Sequence, residues 1–242
     1  MRDREIDEVL QRAAQTTHAV DPALLEGIAK SLGSSMQPVR PLPPTWLLAG
    51  GLVLICAGMA LAGAARAGFY GIEKLDVGER ALIFTTLGIL IWAASSGFVS
   101  EMIPGSSRRV AAGTLLGLGS VTLLTVFALL FRDYRTDHLV SAGVVCLMTG
   151  LLHAIPTGLI AEWLLRRGFA VHSIAAGLAA GTLAGLTGVT MLELHCANFQ
   201  ALHVLLWHTA VVPVSGAVGM LAAWALGLRS SSSANNERFA SK

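Results

Sequence analysis

Residues 168–192 read GFAVHSIAAGLAAGTLAGLTGVTML, a stretch of 25 positions without one Asp, Glu, Lys or Arg. About 20 apolar residues in an α-helix cross a hydrocarbon core of roughly 30 Å. A water-soluble helix of that length needs a polar face, and this one has none. Five further charge-free runs, 41–65, 81–100, 110–131, 138–161 and 194–228, are each 20 residues or longer. Only 13% of the 242 residues are charged, about half of the roughly 25% usual in a soluble domain, and the shortage is concentrated in these runs. They place membrane helices near 45–65, 80–100, 110–131, 139–160, 171–192 and 203–226. The fold class is all-α: a polytopic membrane helix bundle with six transmembrane helices and a short amphipathic helical N-terminal arm.

Within the opening stretch Gly177, Gly181 and Gly185 recur every four residues, interleaved with Ala176, Ala180 and Ala184. Stripes of small residues let helix backbones approach closely in lipid, so this stripe reads as packing. Gly113 and Gly117 read as a weaker version in the third helix. Pro156 and Pro213 are expected to kink the fourth and sixth.

Residues 1–44 form a separate polar unit, a cytoplasmic partner-binding arm and linker. Ile6, Val9, Leu10 and Ala13 share one face of a short helix. A second helix starts at Asp21-Pro22, an N-cap followed by proline at the first helical position. Leu25, Ile28 and Leu32 line its apolar face, and Gly33 is a natural stop. Helices this short are marginal alone, so Ile6, Val9, Leu10, Leu25, Ile28 and Leu32 are the candidate partner-binding residues. Pro38, Pro41, Pro43 and Pro44 make a stiff connection to the membrane domain, 45–228. The tail, 229–242, reads as disordered. No cleavable signal peptide is expected, because the first apolar run begins only after Pro44.

Orientation follows from basic residues. With both termini inside, 12 Lys and Arg lie on the inner side and five on the outer: Arg66, Lys74, Arg80, Arg132 and Arg135. The loops are nearly balanced, so the tails set the N-in, C-in expectation. A net charge of +2 is too small to indicate direct nucleic-acid binding. Three cysteines argue against a disulfide framework.

The apolar runs carry no Asp, Glu, Lys or Arg. Coupled transport and carboxylate catalysis both need such groups at depth, and no phosphate loop, HExxH pair or GxSxG elbow appears. The chain is therefore read as a non-enzyme with no cofactor. What remains is a cluster of soft ligands toward the outer side: Glu193, His195 and Cys196 at the end of the fifth helix, His203 and His208 on the sixth, Cys146 and His153 in the fourth. Cys146 lies about 12 Å below the outer end of its helix. Cys196 beside His195 is the most suggestive element, since a neighbouring imidazolium lowers a thiol pKa. His203 and His208, five residues apart, do not share an α-helical face, and His153 lies two turns below Cys146. No metal assignment follows from the spacing, and Cys56 reads as a small apolar residue.

Leu165-Arg166-Arg167-Gly168, Ala176 to Gly181, Leu194-His195-Cys196 and Trp207 resemble the NrsF-like family of polytopic anti-sigma factors. The resemblance covers the membrane part, with specific motifs over the last three helices. It implies six membrane helices in a bacterial inner (cytoplasmic) membrane and a cytoplasmic N-terminal segment that holds an extracytoplasmic-function sigma factor. It also implies that Cys146 and Cys196 match the family's cysteine pair, through which oxidant or heavy-metal stress is sensed; adjacency, not the resemblance, makes His195 the residue expected to aid ionisation of Cys196. His208 after Trp207 and the longer, proline-linked arm depart from the family pattern. Two alternatives remain: a transporter or channel of unknown substrate, and a haem- or metal-binding membrane redox protein using His153, His203 and His208.

Overall fold

The computed structural model describes residues 22–35, 43–103, 110–136, 138–167 and 172–240, with the side chains of 226–240 and of a few positions in 22–35 left aside. Among the described residues every regular element is a helix, without strands. The chain divides into two units, 1–42 and 43–242.

The first unit contributes α1, Pro22–Ser35. Pro22 starts it, where a missing N–H costs nothing. Gly33 does not end it; the helix passes through to Ser35, because glycine weakens a helix by only about 1 kcal/mol without breaking it. The expected helix around Ile6, Val9 and Leu10 lies outside the described residues, as do the side chains of Ile28 and Leu32. Leu25 is 53% exposed.

The second unit holds six helices long and apolar enough to span a membrane. α2 is Thr45–Ala67, α3 the short Tyr70–Lys74, α4 Val77–Met102, α5 Ala112–Leu130, α6 Leu139–Arg167 and α7 Ser173–His195. The last span comprises α8, Ala201–His203, a π turn, Val204–His208, and α9, Thr209–Ala240. Each matches an expected span to within a few residues, except that α6 runs on to Arg167 and α9 far beyond 226. The segment 229–240, read from composition as disordered, continues α9 as helix; no Gly or Pro follows Gly227 to stop it.

Local chemistry sets several ends. α2 closes on Gly68 at φ 104°, ψ 151°, a conformation reserved for glycine, with its N–H on the Ala64 carbonyl at 2.7 Å. α4 opens with a capping box: Asp76 Oδ1 accepts from the Glu79 N–H at 2.7 Å, and Glu79 Oε2 from the Asp76 N–H at 2.9 Å.

α7 is the axis. It touches each of the other five spans, and 78% of its apolar span is buried inside the bundle, against 17% for α5. Small residues make this possible. A Cβ at Gly177 would stand 2.5 Å from the Gly219 carbonyl oxygen of α9, and one at Gly185 2.7 Å from Val212 Cα. At Gly181 it would overlap the Ser215 carbonyl, and at Gly188 the Gly150 carbonyl of α6. Thr182, Thr187 and Thr190 return their hydroxyls to carbonyls four residues back at 2.8–3.0 Å, so their polarity is satisfied within the helix. The weaker stripe expected in α5 is not a packing seam: Gly113 and Gly117 have nothing within 4 Å of a Cβ position and face out of the bundle. Spacing alone does not say which helix is central.

Candidate functional site

One face of the bundle gathers the α2–α4, α5–α6 and α7–α8 connections. Lys74 Nζ donates to the Ala197 carbonyl at 3.2 Å, and the Ala201 N–H to the Asp133 carbonyl at 2.6 Å. Phe131 stacks on Phe199 with ring centroids 5.1 Å apart. Gly71 of α3 lies directly on the end of α7, where a Cβ would stand 2.6 Å from the Glu193 carbonyl oxygen and 2.8 Å from that of Cys196. The α2–α4 and α5–α6 connections thus hold the third, 196–200, in place from separate directions.

Under this tied face the two cysteines meet. Cys146 Sγ of α6 lies 3.3 Å from Cys196 Sγ at the end of α7, and both are free thiols. Glycines on α6 allow the approach. Trp207 covers Gly143 so closely that any Cβ would overlap its indole, and a Cβ at Gly150 would come within 2.8 Å of Leu192 and Val211. Cys146 sits between these two contacts, at the height of Cys196. The thiol of Cys196 is held above its ordinary pKa, first by the hydrogen bond with Cys146 and then by burial.

The imidazole that reaches Cys196 is His203, with Nε2 3.6 Å from Sγ. His195, the sequence neighbour, turns elsewhere: its Nδ1 is 3.0 Å from the Gly68 carbonyl and its ring lies 5.9 Å from that of Tyr70. Consecutive helical residues point about 100° apart, so adjacency at the end of α7 separates the two side chains. His195 fastens the α2–α3 link to α7.

His203 and His208 face one another, ring centroids 5.3 Å apart, edge to face. In an α-helix five residues turn the chain about 140° past a full turn, which is why the spacing argued against a shared face. The π turn Val204–His208 reduces that offset by widening the turn; the Thr209 N–H bonds back to the Val204 carbonyl, five residues earlier. His208 Nδ1 is then 2.6 Å from Glu193 Oε1, with both side chains 0% exposed. Glu193 is thus inside the bundle, two residues from the end of α7, and not a solvent-facing terminus. The sequence signal was there: Glu193 is the one charge between two long apolar runs, 168–192 and 194–228.

Cys146, Cys196, His203 and His208 bring one ligand atom each to within 4.8 Å of one another. A cleft of about 640 Å³, lined by Tyr70, His138, Thr149, His195 and Gln200 among others, reaches the two cysteines. His153 stands apart, with Nδ1 2.8 Å from the Thr149 carbonyl and its ring against Gly63. Cys56 is buried in α2, outside the group.

This bundle, with its paired thiols, is matched from residue 32 to residue 228 by the NrsF family, described as negative regulator of sigma F. The chain belongs to the NrsF family. It is a negative regulator of a sigma factor, built on six apolar helices suited to a membrane. No curated protein and no solved structure matches it. Membership gives the site a context: a half-buried and a buried thiol, two buried imidazoles and a buried carboxylate are gathered together in a regulator.

Proposed function

We propose that the protein is a membrane-bound anti-sigma factor that holds an extracytoplasmic-function sigma factor through its N-terminal arm and releases it on a thiol-directed signal. The membrane is the bacterial inner membrane, with both termini cytoplasmic and the cysteine face outward. The observation that carries the sensing half is the 3.3 Å between Cys146 Sγ and Cys196 Sγ, on two helices 50 residues apart. Sulfurs at that distance are joined with little motion, either as a disulfide, whose S–S bond is about 2.05 Å, or through a metal ion. In the first case a two-electron oxidant such as a peroxide takes both electrons, and two protons leave.

Either event draws α6 against α7, and α7 touches every other span. A shift started at one membrane face is thereby passed along the axis. Loss of 1.4 kcal/mol of partner binding is a tenfold fall in affinity, so a small repacking is sufficient. Cys146→Ser and Cys196→Ser are each expected to abolish induction of a sigma-dependent reporter by cadmium while leaving basal repression intact. Cys56→Ser is expected to change nothing. Normal induction in the Cys196→Ser strain overturns the sensing mechanism.

A further inference from the structure

A dithiol explains the two sulfurs but not the two histidines, the buried carboxylate or the π turn that assembles them. His208 gives Nδ1 to Glu193, which leaves its buried Nε2 without a hydrogen-bond partner. His203 aims Nε2 at Cys196 Sγ. A tetrahedral ion with metal–sulfur bonds of about 2.3 Å and metal–nitrogen bonds of about 2.0–2.1 Å separates its ligand atoms by roughly 3.3–3.8 Å. The sulfur–sulfur distance here is 3.3 Å and the sulfur–nitrogen distance 3.6 Å. One ligand atom from each of the four residues lies within 4.8 Å of the others, so an adjustment of up to about 1 Å closes the cage.

We propose that Cys146 Sγ, Cys196 Sγ, His203 Nε2 and His208 Nε2 form a tetrahedral site for one divalent thiophilic cation of the zinc(II) or cadmium(II) class, with Glu193 orienting His208. Binding is balanced: the ion gains four ligands, two thiols lose their protons to water, and both imidazoles bind neutral. A divalent ion cancels the two thiolate charges, whereas a monovalent one leaves a net negative first shell in a buried place, which is costly. A carboxylate on the far nitrogen of a ligating histidine fixes its tautomer and raises its basicity. The cleft that reaches both cysteines supplies the entry path. Because Cys146 is on α6, Cys196 ends α7 and both histidines belong to the last span, one ion clamps three spans together. The consequence for the partner rests on the anti-sigma reading above; the site itself does not.

The test uses the full-length, reduced protein in nanodiscs, titrated with cobalt(II) as the probe. One equivalent is expected to bind, with the visible bands of tetrahedral coordination and a thiolate charge-transfer band, and zinc(II) or cadmium(II) is expected to displace it. Cys196→Ser should lower the charge-transfer intensity, and the Cys146→Ser/Cys196→Ser double variant should remove it. His203→Gln and His208→Gln should each weaken binding at least tenfold, and Glu193→Gln by about 10–100-fold. Cys56→Ser should leave binding unchanged. A readout without variants is alkylation of the wild-type protein, in which cadmium(II) should protect Cys146 and Cys196.

The four-ligand site is overturned if the His203→Gln/His208→Gln double variant binds as tightly as wild type with the same spectrum, if reduced wild type takes up no cobalt(II), or if cadmium(II) leaves both thiols open to alkylation. Tight metal binding without cysteine-dependent induction in cells keeps the site and removes the signalling reading. Intact cysteine-dependent induction without metal binding does the reverse.

Discussion

α7 and α5 are both helices of membrane length, α7 with the single acidic residue Glu193 near its end and α5 with no charge, yet they are opposite in kind. α7 is the least apolar of the six spans and the most buried; α5 is more apolar and the least buried. In water the order is reversed, with the most apolar helix innermost. In lipid, apolarity is the outer condition, and the centre goes to the helix whose small residues let neighbours approach. Glycine is the same residue in both helices with different consequences: at 181 it is in contact with the α9 backbone, and at 117 it faces open space. The polar chemistry follows the same division. Glu193, His203, His208 and Thr187 are all 0% exposed along or against α7, where each finds a partner or a cluster.

The sharpest way to break this comparison is to place the same side chain in both helices. Gly181→Leu drives a side chain into the Ser215 carbonyl, and neither backbone has room to yield. Overpacking of this kind costs about 3 kcal/mol or more. Folded protein in membranes, measured by fluorescence-detected size exclusion, is expected to collapse. Gly117→Leu meets nothing and is expected to stay within about 0.5 kcal/mol of wild type. Equal tolerance at both positions contradicts the central placement of α7.

α1 sharpens the comparison from the other side. Its Leu25 is exposed like the outer residues of α5, but its helix also carries Glu26 and Lys30 and lies in a unit with no apolar run of membrane length. An exposed leucine there fits the proposed contact of the arm with a protein partner. Burying one Leu or Ile is worth about 1.5–3 kcal/mol. Leu25→Asp with Ile28→Asp is therefore expected to release the sigma factor and give constitutive target expression at normal membrane levels. Persistent repression shows that the arm is not the binding element.

How much was legible follows the same physics. Six spans were readable because each charge-free run is long and each boundary carries a charge or a proline. The depth of each helix was not: Gly113/Gly117 and Gly177/Gly181 have the same spacing, and only the neighbour decides whether the glycine is used. Helix position puts Cys146 and Cys196 in one outward cluster, but their pairing comes only from resemblance to a family, since 50 residues of separation carry no geometry. His203 and His208 were set aside because five residues do not share an α-helical face. The π turn that unites them is a backbone event ahead of Pro213 with no side-chain signature of its own. Glu193 looked like a helix end because it follows an apolar run, although another apolar run begins one residue later.

The central claim, that the thiol pair at the end of α7 governs the hold on a sigma factor, is tested most directly by co-purification. Full-length tagged protein is solubilised from its native membranes, treated with cadmium(II) or left untreated, and the bound sigma factor is quantified by mass spectrometry. Sigma factor is expected with untreated wild type, to fall at least tenfold after cadmium(II), and to remain bound to the Cys146→Ser and Cys196→Ser proteins under the same treatment. Equal retention by treated and untreated wild type, or equal release from the serine variants, contradicts it.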